Sequence, residues 1–257
     1  MDYVSNVERH TERLNKRYDK YHSRFAVLDL ETSANPFGSE VVEIGRVDLH
    51  HDDVILFGSD LVQPSCGIVE VGSACHHLTD AQVAGCPTFD ELVGRYLDLE
   101  GATGVDIVVA HNWKHEGQWL DPYLLGRPVI CTYKCALMVF PEAPKHTNQV
   151  LRYWLNPKRL NPLLANMTHR ALPDAYVTTF LLRELLERAP IEDLIRWTQE
   201  PLLLPGVCFG KHRGTAWSEL PLDYLEWIID KSDLNDDVKY TASYYRTKRR
   251  TAPLRAA

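Results

Sequence analysis

The sequence has no apolar run approaching the roughly 18 residues that a membrane-spanning helix needs. Its polar start, Met-Asp-Tyr-Val-Ser-Asn, lacks the apolar segment of a secretory signal. Cysteine is scarce. There are six in 257 residues, none at Cys-x-x-Cys spacing, which excludes a disulfide framework and reads as reduced, mostly buried thiols. These absences imply a reducing compartment, the cytoplasm. Internal repeats and low-complexity segments are also missing, which excludes solenoids and compositionally biased tracts. Positive charge is in deficit. The 28 Lys and Arg stand against 35 Asp and Glu, a net −7, which by itself argues against a simple basic nucleic-acid binder.

What is present is an ordinary globular composition, 45% hydrophobic and 25% charged. This length suits one large domain with a smaller module, and a core that needs no staples. The charge is unevenly spread. Residues 1–24 hold six Lys/Arg against four Asp/Glu, and residues 206–257 hold nine against seven, so the acidic excess lies in the middle. Such a stretch is either a solvated surface or a cation site, because clustered carboxylates need a metal or a proton to coexist.

Hydrophobic spacing predicts a solvated helix over 4–21, then a buried strand, Phe25-Ala-Val-Leu-Asp-Leu-Glu31. Strands over 41–49 and 54–62 follow through close turns, which suits an antiparallel meander. Thr79-Asp-Ala-Gln starts like a capped helix, and Phe89, Leu92, Val93, Tyr96 and Leu97 fall at helical spacing. A nearly all-apolar strand over 106–112 reads as central, and a short one over 129–132 follows. Helices are expected over 113–120, 133–139, 147–156, 171–188 and 191–199. This order is that of an α/β layer fold with a mixed sheet. Pro201-Leu-Leu-Leu-Pro-Gly206 reads as a linker, leaving three parts: a helical extension over 1–23, a main domain over 24–200 and a small module over 206–250. In the module, Tyr224, Leu225 and Trp227 are expected to form a small core, with a base-stacking platform as the alternative.

The acids of the middle fall where elements end. Asp29 and Glu31 lie two apart on a strand, so both point to one face. Burying them unpaired would be costly, and a divalent cation resolves the repulsion; two exposed acids at a strand end fit the same spacing. Oxygen ligands of this kind suit Mg²⁺ or Mn²⁺. His111 and Asn112 end the fourth strand, where His111 is either functional or a satisfied buried imidazole, and Glu116 follows one helical turn later. His169 stands before the long helix and Asp174 in its first turns, with Pro173 where no backbone donor is lost. This pair suits a general base beside a metal ligand, and a capping role also fits Asp174.

Taken in order, Phe-Ala-Val-Leu-Asp-Leu-Glu-Thr (25–32), Val-Val-Ala-His-Asn…Glu (108–116) and His-Arg-Ala-Leu-Pro-Asp-Ala (169–175) resemble the three motifs of the DEDD 3′–5′ exonuclease superfamily, histidine subtype. Pro87-Thr-Phe, Ile130-Cys-Thr-Tyr-Lys-Cys-Ala-Leu and 144–155 are also similar to this group. With Phe209-Gly-Lys-His-Arg-Gly214, the latter stretches resemble exodeoxyribonuclease X relatives. The superfamily resemblance covers about 24–190.

The resemblance implies an RNase H-like five-stranded mixed sheet and a two-metal phosphodiesterase releasing 5′-nucleoside monophosphates from DNA 3′ ends, in repair or degradation of those ends. Asp29 would serve both ions, Glu31 and Asp174 the first, and Glu116 the second. His169 would deprotonate the attacking water, a task suited to an imidazole of ordinary pKa (~6.5). The backbone around Leu30 and Thr32 would hold the terminal nucleotide, with His111 and Asn112 beside it, and Lys211 and Arg213 would grip phosphates. The expected partner is nucleic acid and not a membrane. A ribonuclease of the same superfamily, or a catalytically weak nucleic-acid-binding protein, are the alternatives. The chain departs from the family in having Glu116 for the usual Asp and His115 for the aromatic residue before it.

Overall fold

The computed structural model describes residues 18–36 and 38–251. Of the helix expected over 4–21, residues 4–17 lie outside the described residues, and 18–22 form a lead-in and a turn. Strands β1 (Phe25–Thr32), β2 (Val41–His50) and β3 (Asp53–Leu61) pair as an antiparallel meander. Helices α1 (Glu70–His76), α2 (Asp80–Val83) and α3 (Phe89–Tyr96) follow. Strand β4 (Ile107–Ala110) runs into α4 (Trp113–Leu120), and β5 (Val129–Cys131) into α5 (Thr132–Val139). Then come α6 (Asn148–Leu155), α7 (Pro162–Ala165), α8 (Ala171–Leu186), α9 (Ile191–Gln199), α10 (Leu222–Lys231) and α11 (Asp236–Thr251).

The strand order is β3-β2-β1-β4-β5, with β1–β4 and β4–β5 parallel. All four residues of β4 are buried, as expected of a parallel strand covered on both faces. Capping boxes at Thr79/Gln82 and Thr88/Glu91 start α2 and α3. One face of the sheet packs Phe25, Val27, Val47 and Ile107 against α5, α6 and α8. The other packs Ala26, Leu28, Ile44 and Val108 against α3 and α4. Helix α8 is buried on almost every side because it lies between the sheet and α5 and α6.

A third core unites Trp217, Leu220, Leu225, Ile228, Val238 and Ala242. Here the structure differs from the expected linker and separate module. Leu202 and Leu204 belong to this core, and Leu137 of α5 closes it. The backbone N–H groups of Leu202 and Leu204 donate to Asp237 Oδ1 (2.9 Å) and Thr241 Oγ1 (3.0 Å). The Pro-Leu-Leu-Leu-Pro stretch is therefore structural, and the C-terminal region is packed on the main domain rather than tethered to it. All six cysteines are free. Among the described residues, no helix is long and apolar enough to cross a membrane.

Candidate active site

Strand period puts Asp29 and Glu31 on one face of β1, opposite Gly45 and Glu43 of β2. Gly45 decides what can approach them. A Cβ there would lie 2.4 Å from Ala171 C and Leu172 N, so only glycine lets the first turn of α8 cross β2 at that point. The approach brings Asp174 to the two strand acids, and one oxygen from each of Asp29, Glu31 and Asp174 lies within 4.8 Å of the others.

Two residues that the motif reading missed hold α8 in place. Glu43, 1% exposed, takes both arms of the Arg170 guanidinium at 2.8 Å and the Ala171 N–H at 3.1 Å. It pairs with the half-buried Arg170 and sits at the positive end of α8. Gln149 of α6 donates from Nε2 to Asp174 Oδ1 (3.2 Å), while the His169 N–H donates to Oδ2 (2.7 Å). Both oxygens of Asp174 are thus oriented by the protein. Arg152 fixes the amide in turn, donating to Gln149 Oε1 (2.9 Å), the Ala165 carbonyl (2.6 Å) and Asn166 Oδ1 (2.8 Å). The signal for Glu43 was an acid inside an apolar strand, Val-Val-Glu-Ile-Gly; nothing local marks Gln149.

Glu116 enters from α4. Asn112 precedes that helix in the left-handed region (φ +73°), which turns the chain sharply at the end of β4. Glu116 is 3% exposed and its Oε2 has no hydrogen-bond partner. Burial, with Glu31 nearby, pushes its carboxyl up to about 8. Glu31 is likewise pushed up to about 8, by burial and then by Asp174 and Glu43. Asp29 is driven well above the carboxylate range by burial and by Asp174, Glu31, Glu116 and Glu43. Asp174 is raised by burial, against the hydrogen bonds from His169 and Gln149. Asp29, Glu31 and Asp174, brought within 4.8 Å and resisting joint ionisation, have the chemistry of a donor set for a hard divalent cation, and Glu116, which is not part of that close group, adds a buried carboxyl with an orphaned oxygen. The residues present therefore fit such an ion.

The other expected site residues are placed as follows. His169 is exposed, at φ +58°, in the turn that leads into α8 beside Asp174. Asn112 is exposed and its side chain caps nothing. Leu30 is 4% exposed and its side chain fills the core on the α3/α4 face, so only its backbone can serve a substrate. The Thr32 carbonyl is bonded to the His76 ring (3.1 Å). His111 is held within the fold by both ring nitrogens. Its Nδ1 pairs with Thr132 Oγ1 and its Nε2 with the His146 carbonyl, both at 2.9 Å, and burial lowers its pKa to about 4. A neutral ring with both nitrogens engaged has none left for a nucleotide. His115 packs edge-on against Trp119, 5.1 Å between centroids. Lys211 and Arg213 lie outside the acid cluster, on the C-terminal region, where Arg213 donates to the Ala143 carbonyl (3.3 Å).

No family model matches the chain. Among curated proteins it is 30% identical over 229 residues to exodeoxyribonuclease 10 of Escherichia coli K12, covering 85% of this chain and 97% of that one. It is 28% identical over 171 residues to the DNA polymerase III subunit epsilon of Aquifex aeolicus, covering 63% of this chain and 80% of the other. Among solved structures, exonuclease X in complex with 5′ overhanging duplex DNA superposes with a TM-score of 0.58 at 28% identity, over 68% of this chain and 99% of that one. With the sheet order, the acid cluster and the motifs already in place, these likenesses lead to one conclusion: the chain belongs to the exodeoxyribonuclease 10 group of the DEDD 3′–5′ exonuclease superfamily.

Proposed function

We propose that the protein is a metal-dependent 3′–5′ exodeoxyribonuclease that removes 5′-nucleoside monophosphates from DNA 3′ ends. The observation that carries this reading is the cluster of Asp29, Glu31 and Asp174, with ligand oxygens within 4.8 Å of one another and the His169 turn bonded to Asp174. Asp29, Glu31 and Asp174 would hold one Mg²⁺ or Mn²⁺, and Asp29 with Glu116 a second. Bound cations of this kind supply the positive charge that acidifies water and offsets charge on the scissile phosphate and the leaving oxygen. His169, exposed at the mouth of the cluster, takes the proton of the attacking water at a ring nitrogen. Gln149 and the His169 N–H keep both Asp174 oxygens aimed into the cluster. The backbone at Leu30 and Thr32 positions the terminal nucleotide, and Asn112, with its amide unused by the helix cap, orients the strand. Lys211 and Arg213 contact phosphates farther along. The free cysteines suit work in a reducing cytoplasm.

Glu116 in place of the usual Asp extends the carboxylate by about one C–C bond, ~1.5 Å. Glu116 would serve a Mg²⁺ that keeps several waters by reaching it through one of them. The test is hydrolysis of labelled single-stranded DNA, duplex DNA and RNA with Mg²⁺, Mn²⁺ or EDTA. Release of mononucleotides from DNA 3′ ends, lost in EDTA and in Glu116→Ala, is expected. Undiminished hydrolysis in EDTA refutes the metal assignment, and faster turnover of RNA overturns the DNA assignment.

A further inference from the structure

The Phe209–Gly214 turn is built around one ring, that of Tyr224. Gly210 and Gly214 take φ of +60° and +82°, a region open to glycine. A Cβ on Gly210 would stand 3.2 Å from the Tyr224 hydroxyl. The turn therefore settles onto the ring: the Lys211 ammonium is 5.5 Å from its centroid and the His212 ring 4.5 Å. Trp227 stacks on Tyr224 at 5.4 Å and 19°. Trp227 is 44% exposed, whereas Leu225 and Ile228 fill the core of the region. Of the residues expected to form that core, Trp227 lies outside it.

We propose that the His212–Tyr224–Trp227 ladder, with Lys211 and Lys231, is a platform for single-stranded nucleic acid, holding the strand upstream of the 3′ end being hydrolysed. The proposal rests on the function proposed above. Trp227, exposed and backed by the half-buried Tyr224 ring, offers unpaired bases a π-face, which bases inside a duplex cannot use. The cations lie on one side of it. Lys211 stands over Tyr224, and Lys231 follows Trp227 by four residues on α10, so both can meet phosphates. On α10 the spacing puts Asp223 (i−4) and Asp230 (i+3) on the flank of Trp227 opposite Tyr224 and Lys231, so phosphates would favour the lysine side. Glu226 is taken up by Arg250 at 2.6 Å.

The platform is also tied to the acid cluster. Arg213 holds the Ala143 carbonyl, and six residues later Gln149 holds Asp174. At most ~3.6 Å per residue, Ala143 lies within about 22 Å of Gln149, so a strand of no more than roughly seven stacked nucleotides at ~3.4 Å each covers that separation.

The test uses the full chain carrying Asp29→Ala, so that nothing is degraded, and measures anisotropy of labelled oligo(dT) of about 20 nucleotides, a trinucleotide and a blunt duplex. Trp227→Ala is expected to raise Kd for the long strand about tenfold, and Trp227→Phe to keep it within about twofold, as stacking requires. Lys211→Gln is expected to weaken binding about threefold and flatten its salt dependence, and Asp230→Asn to tighten it. A trinucleotide held by its 3′ end at the acid cluster, with no strand upstream for the platform, should not follow the long strand. Wild-type affinity in Trp227→Ala, an equal loss on the duplex, or Trp227→Phe as defective as the alanine variant would each overturn the platform. Those results leave hydrolysis by the Asp29-intact chain untouched, whereas absence of that hydrolysis with Mg²⁺ or Mn²⁺ overturns the function and not the platform.

Discussion

Opposite faces of the same sheet bury two very different groups of charge. On the α3 face, Arg46 is fully buried and every contact it needs comes from the protein. It donates to both Asp48 oxygens (2.6 and 2.9 Å), the Tyr96 carbonyl (3.1 Å) and Thr103 Oγ1 (2.9 Å), and its guanidinium lies 4.3 Å over the Phe57 ring. Arg24 adds a second cation to Asp48 at 3.2 Å. On the α8 face, Asp29, Glu31 and Asp174 converge with no arginine among them; the nearby Arg170 is committed to Glu43. One cluster is complete when the chain folds. The other gathers carboxyls that no protein cation among the described residues balances, the arrangement that the proposed divalent ion would complete. Buried charge therefore marks function here only where the protein leaves it unbalanced.

The comparison breaks most visibly at Asp29. Asp29→Ala should lower the hydrolysis rate at least ~10³-fold, about 4 kcal/mol in the barrier. The melting temperature of the metal-free protein should rise at the same time, because a repelling acid has gone. A variant that is both inactive and less stable would place Asp29 with the structural charges. Arg46→Leu should do the reverse, costing about 3–5 kcal/mol of stability by leaving the buried Asp48 with only the longer contact to Arg24, as denaturant unfolding would show. Arg46→Leu with Asp48→Val should recover part of that loss, since an apolar pair replaces a buried ion pair at little cost.

A smaller effect is expected at Gln149. Gln149→Leu keeps the shape of the side chain but frees Asp174 Oδ1, so apparent Mg²⁺ affinity should fall about tenfold, read by titration calorimetry on the unreacted protein, with little change in melting temperature. The pH dependence of the metal-free protein tests the same comparison without substitution. Glu31 and Glu116 move from an ordinary 4.5 to about 8 on folding, so the folded chain holds more protons than the unfolded one between those values. Metal-free stability should therefore fall as pH rises from about 5 to 8. Added Mg²⁺ should raise the melting temperature more at pH 8 than at pH 5. An equal rise at both would mean that the acids are already compensated without the ion.

Much of this was legible from local pattern. Period 2 placed Asp29 and Glu31 on one face, and apolar spacing with cap signals located β1, β2, β4, α4 and α9 to within a few residues. The ordered motifs singled out Glu116, His169 and Asp174 before any contact was visible. Other positions depend on contacts distant in sequence. His111 looked available because its two partners, Thr132 and the His146 carbonyl, lie 21 and 35 residues away. Pro201–Gly206 looked like a linker because the core that absorbs Leu202 and Leu204 is supplied by α5, α10 and α11.

The sequence by itself determined which residues could bear chemistry and which segments would be strand or helix, because both follow from residue type and near-neighbour spacing. Tertiary structure alone decided which of those residues are balanced. Glu43 beneath Arg170, Gly45 beneath α8, Gln149 on Asp174 and Trp227 outside its core are each settled by a partner distant in sequence. Whether a buried group is satisfied depends on what fills its last few ångströms, and local pattern carries no information about that distance.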